Sequence, residues 1–132
     1  MTTFTLPRTG DRPLQFDGDQ LAATDSRQSQ GPCQTRWYEL SLYRTDGGKY
    51  AVAIGYRTQW QGELPRDEVH VEDTLPGAVE VLRTTVPELP LHAFPAGEHF
   101  DAKRAHVAGA VRACYETAIS ELLENVEPEK MS

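Results

Sequence analysis

The sequence predicts a single α+β domain, in which a small antiparallel β-sheet is packed on one face by two C-terminal helices. Two alternating runs meet at an Asp-Gly dipeptide and predict a central hairpin over residues 36–57. Two stretches with helical spacing follow it. The chain has 132 residues, of which 39% are hydrophobic and 25% charged, and this suits one domain spanning residues 1–132.

The segment before the hairpin has weaker patterns. Residues 1–13 lack hydrophobic periodicity and predict a flexible lead-in. Residues 14–24 alternate weakly around Asp17-Gly18, which indicates either one bulged strand or two short strands joined by a turn. Residues 25–35 are polar and contain Gly31-Pro32, so they predict a loop.

The hairpin register follows from the length of its turn. A two-residue turn at Asp46-Gly47 would place Tyr43 opposite Tyr50 and Trp37 opposite Tyr56. One face would then be apolar and small enough for the final helix to approach it closely. That face would carry Tyr38, Leu40 and Leu42 opposite Gly55, Ala53 and Ala51.

Residues 68–84 predict an edge strand and a short helix. Residues 68–72 alternate charged and β-branched residues, with Val69 and Val71 expected to point inward. Asp73 or Thr74 can cap a helix that runs to about Thr84. The helix should end there because Val86-Pro87 disfavours further α geometry.

The last helix has the clearest periodicity in the chain. Asp101 is a candidate cap, and the pattern predicts a helix over residues 102–125, followed by a flexible tail at 127–132. Its apolar face must be buried against the sheet. That face carries Val107, Val111, Cys114, Ala118 and Leu122, widened by Ala108, Tyr115 and Ile119.

The distribution of charge argues against nucleic-acid binding by the helical, C-terminal half of the chain. Residues 1–66 carry eight Lys or Arg against seven Asp or Glu, for a net +1, and residues 67–132 carry five against thirteen, for −8, which together give the net charge of −7. Binding to phosphate needs clustered cations. The hairpin offers such a group in Arg36, Arg44, Lys49 and Arg57, so a nucleic-acid contact there is the second alternative function.

The chain is expected to be cytoplasmic. Its start lacks a basic segment followed by an apolar run, and no stretch approaches the roughly 20 apolar residues that cross a bilayer. Two cysteines in such a chain, Cys33 in a polar loop and Cys114 on a helix, are expected to be free thiols.

The aromatic residues of the hairpin suggest a contact surface. In the two-residue-turn register, the second hairpin face mixes aromatic rings with Glu39 and Ser41, which would need partners if they were buried. Tyr and Trp are enriched in binding hot spots. We therefore predict a non-enzymatic interaction or accessory domain that binds itself or another protein, with no cofactor or metal. The predicted binding residues are Trp37, Tyr43, Tyr50, Tyr56, Arg57 and Trp60.

The first alternative is a small metal-dependent or acid/base enzyme. Imidazole and carboxylate groups are the ligands of zinc-type ions and the usual proton carriers in catalysis. The spacing matches no ligand motif, and the common nucleophile and phosphate-binding motifs are absent. The residues concerned are His70, Glu72, His92, His99, Asp101 and His106.

The run from Tyr38 to Arg57 resembles the strand pair of WGR-type modules, which are associated with nucleic-acid-dependent enzymes. Those modules carry a Trp-Gly-Arg triplet near the end of the hairpin. Here Gly55-Tyr56-Arg57 stands in its place, and the similarity covers about twenty residues. The chain is therefore not assigned to that family.

Overall fold

The fold is a five-stranded antiparallel meander packed against two helices, as the sequence predicts. The computed structural model describes residues 2–29, 31–85 and 98–126. In the last helix, the side chains are described from residue 105 onward. The strands lie in the order of the chain. The elements are β1 (Thr2–Leu6), β2 (Leu14–Asp25), a 3₁₀ turn (Pro32–Gln34), β3 (Arg36–Thr45), β4 (Tyr50–Thr58), β5 (Arg66–Glu72), α1 (Leu75–Thr84) and α2 (Glu98–Glu124).

The first two strands correct one expectation and decide another. Residues 2–6 form the edge strand β1 and not a flexible lead-in. Phe4 and Leu6 hold the strand in place because both belong to an apolar cluster on the face of the sheet opposite the helices. β2 is one strand, as in the bulged alternative, but its bulge lies between Gln20 and Ala22 and not at Asp17-Gly18.

The hairpin register predicted from a two-residue turn is wrong by one residue. Tyr38 lies opposite Tyr56, Leu40 opposite Ile54, and Arg44 opposite Tyr50. The turn has three residues, closed by a hydrogen bond from Thr45 N to Lys49 O of 2.7 Å. Gly48 has φ +83°, and a glycine in the left-handed region is what a three-residue hairpin loop requires.

This shift moves the β4 side chains to opposite faces. Tyr38, Leu40 and Leu42 of β3 do lie beneath the helices as predicted, and the two leucines are fully buried. Their β4 partners on that face are the large residues Val52, Ile54 and Tyr56, whereas the small residues predicted there lie on the other face.

The helices cover this face through the predicted periodicity. On α2, Val111, Tyr115, Ala118, Ile119 and Leu122 are all buried in the same core. α1 begins after Thr74, whose side chain accepts a hydrogen bond from Gly77 N. The hydroxyl of Tyr115 donates to the carbonyl oxygen of Leu82 at 3.0 Å, which joins the helices. Burial, with the nearby Glu68 charge, raises the pKa of Tyr115 to about 12.

A second apolar cluster lies on the other face of the sheet, which curls around it. All five strands contribute to it, including Phe4 from β1 and Val69 from β5. The Tyr43 ring lies 4.8 Å from the Phe4 ring and 5.5 Å from the Phe16 ring. Val69 is partly buried in this cluster as expected, but Val71 stays exposed.

Cys33 and Cys114 form a disulfide and are not free thiols. The cysteine of the 3₁₀ turn is buried, and it faces the helical stripe to which Cys114 belongs. The prediction of free thiols was wrong because no local sequence pattern indicates that two cysteines 81 positions apart lie close together in space. A bridge of this kind is more typical of oxidising surroundings than of a cytoplasmic protein.

Among the described helices, none has the length and apolar character that crossing a bilayer demands.

Candidate functional site

The loop of residues 59–65, between β4 and β5, combines exposed apolar residues with one buried charge. Trp60 is 45% exposed and Leu64 is 75% exposed, and both are large hydrophobic residues. Between them lies Glu63, which is only 6% exposed. We call this segment the Trp60 loop. This arrangement is unusual, because the carboxylate is buried whereas the apolar side chains are exposed to solvent.

The buried carboxylate of Glu63 is paired with Arg36. The Nε atom of Arg36 lies 3.0 Å from Oε1 and 3.1 Å from Oε2 of Glu63, and a terminal guanidinium nitrogen also donates to Oε2. The two charged side chains are 2% and 0% exposed. An arginine that donates through two nitrogens fixes the orientation of the carboxylate as well as its position.

Two hydroxyl groups complete the coordination of this carboxylate. Tyr56 donates to Oε1 at 2.8 Å and Thr58 donates to the same atom at 3.1 Å. The hairpin register brings these groups together, since Arg36 pairs with Thr58 and Tyr38 with Tyr56 on the helix-facing side. A buried charge is tolerated only when its hydrogen-bonding capacity is used in this way.

The electrostatics of the network favour an ionised Glu63. Burial alone would raise its pKa, but hydrogen bonds from Arg36 and Tyr56 and the positive charge of Arg36 lower it below the ordinary value. The pKa of Tyr56 is raised by burial and by its hydrogen bond to the Glu63 carboxylate. Tyr56 therefore stays a neutral donor, and the network carries one pair of opposite charges.

Trp60 is held in place despite its exposure. Its indole nitrogen donates to Thr35 Oγ1 at 3.0 Å, and its backbone nitrogen donates to Thr58 Oγ1 at 3.0 Å. The Arg36 guanidinium lies 4.7 Å from the centre of the ring, within cation–π range. The ring therefore has a defined orientation with nearly half of its surface in solvent.

The six predicted binding residues do not form one surface. Tyr50 and Tyr56 lie on the helix-facing side, where Tyr56 is buried against Tyr38. Tyr43 is buried in the second cluster. Trp37 and Arg57 do share the opposite face, but Trp37 stacks on Arg27 at 4.3 Å. Of the six, only Trp60 is exposed.

The predicted cation group is also dispersed. Arg36 is buried with Glu63, and Arg57 forms ion pairs with Glu39 at 3.0 Å and Asp67 at 2.8 Å. Gly55 makes room for this triad, because a Cβ there would lie 2.9 Å from Arg57 and Asp67 side-chain atoms. Arg44 and Lys49 remain exposed near the hairpin turn.

The groups of the enzyme alternative come together only in part. His70 and Glu72 share the helix-facing side of β5 with Glu68, and His70 Nε2 lies 3.6 Å from Glu68 Oε2. His106 is exposed on α2. His92 and the side chains of His99 and Asp101 lie outside the described residues. Within the described part of the chain, no three potential ligands lie close enough to hold a metal ion.

Comparison with known proteins gives no relative: no protein-family model, curated protein or solved structure matches the chain.

Sequence reasoning found Trp60 but missed Glu63, Thr58 and Leu64. Glu63 appears in the sequence as one polar residue in a Gly- and Pro-containing loop, which is the usual setting of an exposed carboxylate. Its partner is 27 residues away, and no local pattern connects them.

Proposed function

We propose that this chain is a non-enzymatic interaction domain that binds another protein through the Trp60 loop. Trp60 and Leu64 are the contact side chains. The observation that carries the proposal is the buried Glu63 between them, since this carboxylate anchors the loop to the sheet.

Preorganisation supports this function. A loop needs no buried ion pair merely to connect two neighbouring strands, and ordinary turn residues would do so. Fixing exposed apolar side chains in advance removes part of the entropy that binding would otherwise cost. Tryptophan is among the residues most enriched at interface hot spots.

The shape of the loop favours a different protein over a second copy of the chain. Six of the seven loop residues are exposed and one is buried, so the loop projects as a convex element. Two such loops in contact would bury far less than the roughly 1,600 Å² of a standard interface. A partner with an apolar pocket, flanked by polar groups that face Gln59 and Gln61, fits the loop better.

The test is site-specific photocrosslinking followed by binding measurements. A photoreactive residue replaces Leu64 in the full chain, expressed in its native cells, and the same residue at exposed Glu116 on α2 serves as the control. We expect one protein adduct at position 64 that is absent at position 116. No such adduct, or an adduct with a second copy of the chain, would contradict the proposal.

The second test measures the affinity of the chain and its variants for the purified partner. The Trp60→Ser, Leu64→Ser double variant should weaken binding at least about tenfold, since truncating a hot-spot tryptophan commonly costs more than about 1.4 kcal/mol. The matched control is Val71→Ser, which removes an exposed hydrophobic residue from β5. Equal affinities for all three proteins would show that the loop is not the contact.

A further inference from the structure

The two edges of the sheet differ in their protection. β5 (Arg66–Glu72) carries four charged residues, and Thr9 lies against it: Thr9 N donates to Asp67 O at 2.8 Å and Asp67 N donates to Thr9 Oγ1 at 2.7 Å. β1 (Thr2–Leu6) has the sequence TTFTL, with no charge and no proline. Charges and covering loops are the usual means by which proteins prevent pairing at a sheet edge. Only β5 has them.

The outer edge of β1 offers backbone groups for pairing. β1 pairs with β2 from Thr2 opposite Gly18 to Leu6 opposite Leu14, and among the described strands no other lies beside it. Because peptide groups in a strand alternate in direction, half of its N–H and C=O groups point away from β2. The side chains of Thr2, Thr3 and Thr5 are exposed, and the Thr3 hydroxyl donates to Asp17 Oδ1 of β2.

We infer that β1 pairs antiparallel with β1 of a second copy, about a two-fold axis through Phe4, to form a continuous ten-stranded sheet. In this register Phe4 lies opposite Phe4 of the second copy, and Thr3 lies opposite Thr5. An axis normal to the sheet leaves the same face outward in both copies, so the contact closes on itself.

The side chains of β1 are complementary in this register. Thr–Thr and aromatic–aromatic neighbours are among the favourable cross-strand pairs. Phe4 already lies opposite Phe16 with ring centres 5.7 Å apart. Pairing of the two copies would extend this into a row of four aromatic rings across the interface, on the face of the second apolar cluster.

Charge selects this edge for self-association. Each copy has a net charge of −7, so two copies repel each other at long range, and a contact free of like charges adds no further repulsion. β1 supplies a contact without charges, whereas each β5 strand carries three carboxylates against one arginine, so two β5 strands would add a net negative charge of four to the contact. The inference is independent of the Trp60 loop, which lies at the β4–β5 connection and not at this edge.

Five residue pairs make a small interface, so the dimer should be reversible. The test is light scattering on the full chain from about 1 μM to about 1 mM, a range in which weak complexes dissociate. We expect the mass to rise from one 14.7 kDa chain toward two. A single chain at every concentration would overturn the inference.

A charge exchange identifies the surface. The Thr3→Lys, Thr5→Lys variant places like charges opposite each other in both symmetric pairs and should raise the dimer dissociation constant at least tenfold, about 1.4 kcal/mol. A Thr3→Glu, Thr5→Glu variant should also be monomeric, and mixing the two variants should restore a dimer, which also shows that both are folded. Val71→Lys on β5 and the Trp60→Ser, Leu64→Ser variant are controls that should leave dimerisation unchanged. A dimer insensitive to the β1 charges, or a mixture that stays monomeric, would overturn the inference.

Discussion

Arg36 and Glu63 form a bidentate ion pair from which water is almost entirely excluded, with Arg36 Nε 3.0 Å from Glu63 Oε1. The pair joins the first residue of β3 to the loop that precedes β5. The free energy of unfolding and its dependence on pH should therefore both change when this pair is altered.

Removing one charge of this pair should destabilise the domain strongly. Glu63→Gln leaves the Arg36 guanidinium buried without a counter-charge, and such changes cost about 3–5 kcal/mol. Urea unfolding measures this free energy. The control is Glu116→Gln, which breaks an exposed pair with Arg112 and should change the free energy of unfolding by less than about 0.5 kcal/mol. Similar small losses in both variants would contradict the buried pairing.

Removing both charges should be less harmful than removing one. The Arg36→Met, Glu63→Leu variant leaves no unpaired charge in the network, and apolar replacements of buried pairs are often tolerated. We expect it to unfold at a higher urea concentration than Glu63→Gln. The opposite order would indicate that the ion pair itself supplies most of the stability.

Acid should weaken the domain through Glu63. The folded-state pKa of this group is lower than its unfolded value of about 4.5, so the unfolded chain binds more protons between the two pKa values. The contribution to stability is complete above about pH 4.5 and decreases as the pH falls through the lower folded-state pKa. The measurement is unfolding of the wild type and Glu63→Gln between about pH 7 and pH 3. The difference between the two proteins should shrink toward low pH, and a constant difference would contradict the shift.

Reduction of the Cys33–Cys114 bridge should lower stability by up to about 4 kcal/mol, because it removes a constraint on a long segment of the unfolded chain. Thermal unfolding with and without a phosphine reductant measures the effect. In the Cys33→Ser, Cys114→Ser variant, the reductant should have no effect. Two reactive thiols in the untreated protein, detected by mass spectrometry after alkylation, would contradict the bridge.

The adjacent glycines of the hairpin turn should respond differently to alanine. Gly48 has φ +83°, which alanine rarely adopts, so Gly48→Ala should cost about 1–2 kcal/mol. Gly47 lacks a positive φ, and a Cβ added there would meet only Thr45 Oγ1, at 3.9 Å, so Gly47→Ala should be neutral or slightly stabilising. Chemical denaturation compares the two. A larger loss for Gly47→Ala than for Gly48→Ala would favour a two-residue turn at Asp46-Gly47.

Periodicity predicted the layers of the fold but not the hairpin register. The α2 stripe and the even residues of β3 were placed correctly, because each pattern depends only on residues within one element. The register of β4 depends on turn length, and Asp46-Gly47-Gly48 allows both a two-residue and a three-residue loop. One residue of difference reverses every β4 side chain, which moved Tyr50 and Tyr56 off the expected surface.

The candidate site was predicted only through Trp60. Aromatic residues attract attention in a sequence, but the orientation of Trp60 depends on Arg36, Thr35 and the burial of Glu63. These contacts exist only after β3, β4 and the following loop have come together. A buried carboxylate cannot be recognised from its neighbours in the chain, since its pairing is tertiary.

The bridge between the 3₁₀ turn and α2 also affects how the chain responds to proteolysis. It encloses β3, β4, β5 and α1 within one covalent ring. A single peptide-bond cleavage anywhere between Cys33 and Cys114 would leave both fragments attached to each other until the sulfur–sulfur bond is reduced. The nicked protein would therefore migrate as one band on a non-reducing gel and separate into two bands only after thiol treatment.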